Sequence, residues 1–290
     1  MNKLSRFVVA GSLAAMFTCV AATQEKSSGS ASIPKVLQIN REFLKPGKSG
    51  MAHDKTEALF TDAMTRAKWP THYIGLNSLS GKSRGLYLTL YESFEAWQKD
   101  MEAVAKNATL SAALDRAAMA DGELLESTDQ GVFYFHEEMS QNPRADLSQM
   151  RYMELTLFHI RPGKEKQWTE VVNMAKTGYA KGVPDAHWGM FEEMYGADGG
   201  NYLLLSSHKT LAEIDKGILD SKQFAAALGE DGMKKFEALY AECCEPAQQQ
   251  LFSFNPRQSY VQDEWIKADP GFWKPRIAAK APAEDKKSTQ

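Results

Sequence analysis

Tyr152 to Lys164 reads YMELTLFHIRPGK. It is an apolar-rich strand that stops at Arg161-Pro162-Gly163-Lys164 and gives way at once to a helix-like run. Val36 to Lys48 reads VLQINREFLKPGK, again a strand and again a Pro-Gly-Lys stop before a helix. The two triplets stand 116 residues apart (Pro162 minus Pro46). The elements after each triplet also repeat, so the chain reads as two copies of one unit.

Outward from the first stop, strand Lys35 to Leu44 leads to a helix from Ala52 to Lys68, with Ala58, Leu59, Ala63 and Met64 at helical spacing. Trp69-Pro70 ends it, because proline disfavours helix in the residue before it. His72 to Leu79 and Gly85 to Tyr91 alternate as strands about the turn Ser80-Gly81-Lys82-Ser83. Ser93 caps the next helix, which continues with a break near Asn107 to about Leu125, and Gly131 to Glu138 closes the copy as a strand. The second copy runs in the same order. Its helix spans Lys164 to Lys181 with its stop at Val183-Pro184, and its strands span His187 to Tyr195 and Tyr202 to Ser207. A helix capped by Thr210, a long helical segment from Ser221 to Cys244 and a closing strand from Gln250 to Asn255 complete it. The spacing predicts an α+β chain of two tandem ferredoxin-like βαββαβ units, 35–140 and 150–256, joined through Asn142-Pro143-Arg144.

The ends read differently. Lys3 and Arg6 precede an apolar run from Phe7 to Val20, and Val20-Ala21-Ala22 offers small residues for cleavage. Residues 1–22 therefore read as a signal peptide and the protein as exported, periplasmic or extracellular. Lipidation at Cys19 is the alternative, disfavoured by Met16-Phe17-Thr18 before it. Residues 23–34 read as a flexible leader and 278–290 as a disordered tail. The segment 257–277 carries Tyr260, Trp265, Phe272 and Trp273, too aromatic for a free linker; it is expected to dock over a barrel mouth or to make an oligomer contact.

No later apolar run is long enough to span a bilayer. A formal charge of −3, or −5 once Lys3 and Arg6 are removed, gives no electrostatic reason to bind nucleic acid or anionic lipid. Cys243 and Cys244 are neighbours and form no disulfide framework; they read as small residues buried near a helix end, with an intermolecular disulfide or a metal role as alternatives.

The strand–Pro-Gly–helix opening of a unit of about 110 residues resembles the dimeric α+β barrel superfamily, which includes the NIPSNAP-like and antibiotic-biosynthesis-monooxygenase-like proteins. The resemblance implies two sheets face to face, here both supplied by one chain as a pseudo-dimer, either as a monomer or paired as a homodimer. Cofactor-free oxygenases, haem-handling enzymes and isomerases share that superfamily. It implies a small hydrophobic or aromatic ligand between the sheets, bound by a monooxygenase-like enzyme without a cofactor or, alternatively, with haem. A non-catalytic binding, stress or structural protein with filled cavities is the other reading.

Alternation sorts the strand faces. Leu37 and Ile39 share one face, and Gln38, Asn40 and Glu42 the other; Met153, Leu155 and Leu157 oppose Tyr152, Glu154, Thr156 and Phe158. The apolar faces are expected under the helices and the mixed faces between the sheets, with Tyr87, Tyr91, Tyr134 and His136 from the first copy and Tyr202 from the second. His72 and His187 each follow a proline stop, and either suits a general base or a backbone-bonded strand edge. The candidate catalytic set is His72, His136 and Glu42, the carboxylate holding an imidazole in one tautomer. The candidate ligand-binding set is Asn40, Tyr87, Tyr91, Tyr134, His187, Glu154 and Tyr202. No HxxH or HExxH spacing is present, so no metal site is expected, and His53-Asp54 reads as a solvated helix start.

Overall fold

The computed structural model describes residues 33–274. The signal-peptide reading, nearly all of the leader and the disordered-tail reading fall outside them. Eight strands form one closed antiparallel barrel. The first half supplies β1 (Val36–Leu44), α1 (Met51–Ala67), β2 (Tyr73–Ser78), β3 (Arg84–Tyr91), α2 (Phe94–Lys106), α3 (Ala108–Gly122) and β4 (Leu125–Gln141). The second supplies β5 (Tyr152–His159), α4 (Glu165–Gly182), β6 (Trp188–Tyr195), β7 (Asn201–His208), α5 (Ala212–Cys243) and β8 (Gln248–Phe254). Two short helices, α6 (Asp263–Ala268) and α7 (Pro270–Trp273), end it.

Around the barrel the order is β1-β3-β2-β8-β5-β7-β6-β4, so each half contributes its strands as fourth, first, third, second. The halves are stitched at two seams. At one, Leu76 lies opposite Phe254 across β2 and β8; at the other, Phe133 lies opposite Glu193 across β4 and β6. β4 is twice the length expected because it pairs with β1 on one side and β6 on the other. The local punctuation holds. The Ser93 hydroxyl accepts from Ala96 N–H, and Asn107 both ends α2 and caps α3 by accepting from Leu110 N–H. The long C-terminal helix is broken at Gly229, whose φ of 73° and ψ of 172° leave the helical region.

The faces are the reverse of the expectation. Leu37, Ile39, Leu76, Leu86, Phe133 and Phe135 from the first half meet Met153, Leu155, Leu203 and Phe252 from the second in one core inside the barrel. The mixed faces point outward under the helices. There, in the second half, Phe158, Tyr202 and Leu204 pack on Trp168, Val171 and Val172 of α4. The reason is geometric: an eight-stranded barrel is just wide enough for its inward side chains to fill it, and polar groups there would lack both water and partners. At one mouth Val261 and Trp273 of the C-terminal segment join the interior core, and the Trp273 indole donates to Ser148 O at 2.7 Å. The segment docks as expected.

Candidate metal centre

Beneath the helices of the first half, besides the small apolar cluster of Ala63, Trp69 and Leu110, the outward face meets polar groups. Glu42 projects from β1, and Tyr87 from its neighbour β3. His53 and Glu57 lie one turn apart on the buried stripe of α1, and Asp121 sits at the end of α3. His53 is 1% exposed, Glu57 3% and Asp121 1%. Only the Glu42 side chain reaches solvent, at 16%.

His53 Nε2 is the hub. It lies 3.1 Å from Glu42 Oε2, 3.6 Å from Asp121 Oδ1 and 4.0 Å from Glu57 Oε1, with the Tyr87 hydroxyl at 3.4 Å. One ligand atom from each of Glu42, His53, Glu57 and Asp121 falls within 4.8 Å of all the others. Two atoms bound to one divalent cation at about 2.0–2.6 Å stand no more than roughly 5 Å apart, so the set has the dimensions of one coordination sphere.

Its electrostatics favour a positive partner. Three carboxylates converge on one imidazole, and among the described residues no lysine or arginine pairs with any of the three. Burial, then the charges of Glu42 and Asp121, push the Glu57 carboxyl well above its ordinary range, while a hydrogen bond from Tyr87 pulls it back. Burial likewise raises Asp121, against its hydrogen bond from Thr56. Asp121 also lies in the last turn of α3, where the helix dipole disfavours negative charge. Glu57 Oε1 and Asp121 Oδ2 are buried with no hydrogen-bond partner, as are Asn40 Oδ1 and Tyr73 OH nearby in the sheet. Orphaned buried carboxylate oxygens are costly unless something positive meets them.

The expected site residues are dispersed. Glu42 and Tyr87 belong to the cluster. His72 instead stacks on Tyr260, ring centroids 4.7 Å apart, beside an open groove between α1 and the C-terminal segment; burial lowers its pKa. His136 bonds Glu138 at 2.6 Å and Glu192 at 2.9 Å, so its carboxylate partners are these and not Glu42. Tyr134 is exposed beside it. Tyr91 donates to Asp100 of α2 at 3.1 Å. Tyr202 packs on Trp168, its pKa raised to about 12 chiefly by burial. Glu154 pairs with His208 at 2.8 Å. His187 is buried and donates to Ser207 O at 2.8 Å. The two cysteines are buried with sulfurs 3.4 Å apart at the end of α5.

The histidine read as a solvated helix start is thus the most enclosed group of the cluster. His53, Glu57 and Asp121 were missed. The i,i+4 spacing of His53 and Glu57 was the legible signal; Asp121 had none, since only the packing of α3 on α1 brings it in.

No family model matches the chain, and no curated protein does. Solved structures do. A candidate monooxygenase from Fusobacterium nucleatum is 10% identical, with 77% of this chain and 93% of that one covered at a TM-score of 0.50. An anthrone oxidase-like protein is 11% identical over 79% of this chain and 94% of its own, TM-score 0.48. A haem-binding protein from Thermus thermophilus is 11% identical over 83% and 97%, TM-score 0.45. At 10% identity the first of these speaks for the α+β barrel fold alone. No helix among the described residues is long and apolar enough to cross a membrane.

Proposed function

We propose that this is a metal-binding protein that holds one first-row divalent cation through Glu42, His53, Glu57 and Asp121. The observation that carries the reading is one ligand atom from each of the four residues within 4.8 Å of all the others, with Glu57 Oε1 and Asp121 Oδ2 buried and without a hydrogen-bond partner. Three carboxylates and one imidazole suit Mn²⁺, Fe²⁺ or Zn²⁺. Such an ion would supply Lewis-acid activation of a bound water or oxygen donor. The chain's own contribution is to exclude bulk water, to orient His53 and to place the Tyr87 hydroxyl at the edge of the site, 3.4 Å from His53 Nε2.

The matched strand order of the two halves supports a tandem duplication of a ferredoxin-like unit in which the first copy kept a polar site and the second filled its own. The basic start and apolar run of residues 1–22 support export, read by the mass of the chain from its native host, which should begin near Thr23.

A ligand between the sheets finds little support: the cavity beside Leu37, Met153 and His187 measures about 70 Å³, and a benzene-binding cavity is about 150 Å³. Haem, the ligand in one neighbour's name, would have its room in the groove beside His72 and not under α4. The space under α4 is reduced to about 10 Å³ by Trp168, Tyr179 and Trp188. That groove, about 1190 Å³, is lined by Trp69, Tyr260, Val261 and Ile266 as well as by Asp54, Lys55 and Glu264.

The test is calorimetric titration of chelator-treated protein with Mn²⁺ and Zn²⁺, beside Glu57→Gln. The expected result is one ion per chain, with affinity reduced at least tenfold in the variant while its metal-free thermal midpoint stays close to wild type. No uptake of either ion, or equal uptake by the variant, sinks the reading. A haem Soret band appearing in the wild type and lost in His72→Ala would shift it to the groove.

A further inference from the structure

The cluster is closed by a segment 200 residues away in sequence. Asn255 to Tyr260 runs along β2 as a strap. Asn255 N–H donates to Gly75 O at 2.9 Å, Gly75 N–H donates to Ser259 Oγ at 2.9 Å, and Tyr260 exchanges both backbone bonds with Tyr73. A side chain at position 75 would fall on the Gln258 carbonyl, so the strap lies this close only because the residue is glycine.

Gln258 is wholly buried. Its amide nitrogen donates to Asp54 Oδ1 at 2.9 Å and stands 3.3 Å from His53 Nδ1, while the Tyr87 hydroxyl donates to its carbonyl at 3.5 Å. The Asn255 amide also donates to Asp54 Oδ1, at 2.8 Å, and Arg257 lies 3.6 Å from Asp54 Oδ2. One short stretch therefore delivers three side chains to the residue beside His53, and one of them reaches the imidazole itself.

We propose that Gln258 is the positioning residue of the metal centre: it holds the His53 ring through Nδ1 so that Nε2 faces the three carboxylates. The inference rests on the metal reading. Without an ion, Asp54 turns the amide so that its NH₂ group faces Nδ1. That nitrogen accepts, and the ring proton resides on Nε2 and is donated to Glu42. An ion at Nε2 requires that nitrogen's lone pair. The ring proton then resides on Nδ1, and the Gln258 amide turns to present its carbonyl as acceptor, giving up its bond to Asp54 Oδ1. An amide serves both states, a carboxylate only the ion-bound one, and an aliphatic side chain neither.

Mn²⁺ titration of the full chain, followed by calorimetry and by the electron paramagnetic resonance of free Mn²⁺, compares wild type with Gln258→Leu and Gln258→Glu. Loss of a partner that orients a ligating histidine typically costs about 10–100-fold in affinity. The leucine variant should lose that much, and the glutamate variant should bind at least as tightly as wild type. Affinity unchanged in Gln258→Leu, or lost equally in both variants as simple disruption of packing would give, overturns the proposal. Gln258→Met replaces the leucine variant if that fails to fold. A second readout is independent of any ion: the ¹⁵N shifts of His53 in metal-free protein should place the proton on Nε2 in wild type and on both nitrogens in Gln258→Leu. Wild type that takes up no Mn²⁺ removes the metal reading, and the His53 shifts then decide the role of Gln258; identical shifts in the variant reject it.

Discussion

His187 and His53 both stand at the start of an element, and each is decided by what lies against it. His187 precedes β6 and is enclosed beside His208, Arg144, Asp185 and Ser207. Burial lowers its pKa most, and Arg144 and His208 add to this, while its backbone hydrogen bonds to Ser207 and Asp185 oppose it. Its folded pKa therefore lies below the unfolded value of 6.5. Between the two the unfolded chain binds more protons, so this stability is present above 6.5 and is lost as pH falls through 6.5 toward the folded value. Thermal midpoints measured from pH 7.5 to 5 should fall more steeply for wild type than for His187→Gln; parallel slopes would show that the buried imidazole contributes nothing. His53 was readable only as a histidine beside an aspartate at a helix start. That pattern says nothing of Glu42, Asp121 or Gln258, which reach it from 11, 68 and 205 residues away.

At the scale of elements, boundaries were legible and orientations were not. Pro70, Ser93, Asn107 and Pro184 mark breaks because proline and the polar caps act on adjacent backbone, which needs no tertiary partner. The rotation of α1 is different. Ala58, Leu59, Ala63 and Met64 suggested its inner stripe, yet the buried positions are His53, Glu57 and Ala63, and Leu59 is exposed. The helix is too weakly amphipathic for its own pattern to choose a side, so the polar floor beneath it does. The C-terminal segment shows the opposite case, where aromatic content alone foretold docking. Trp273 packs edge-on to Phe254 and Phe272 and bonds Ser148 O. Trp273→Ala should cost about 3–5 kcal/mol, as large-to-small changes in a packed core do, measured by urea denaturation. A loss under 1 kcal/mol would mean that the segment merely rests on the mouth.

At the scale of the whole molecule, the two halves share one interior. Leu37, Leu76 and Phe133 cannot stay buried if Met153, Leu203 and Phe252 leave. Unfolding should therefore be a single calorimetric transition with equal calorimetric and van't Hoff enthalpies; two separable transitions would show that each half keeps a core of its own. The sequence by itself determined the order of the elements and which residues share a strand face, because turns, caps and the period of two are local properties of the backbone. It did not determine which face became the inside, since in this barrel both faces are covered, one by the opposite wall and one by helices, and alternation is blind to that choice. Only closure of the barrel turned the aliphatic faces inward and carried Glu42 outward under α1. Only the packing of α3 and the C-terminal strap against that helix then gathered Asp121 and Gln258 around His53, through contacts between residues far apart in sequence that leave no local trace.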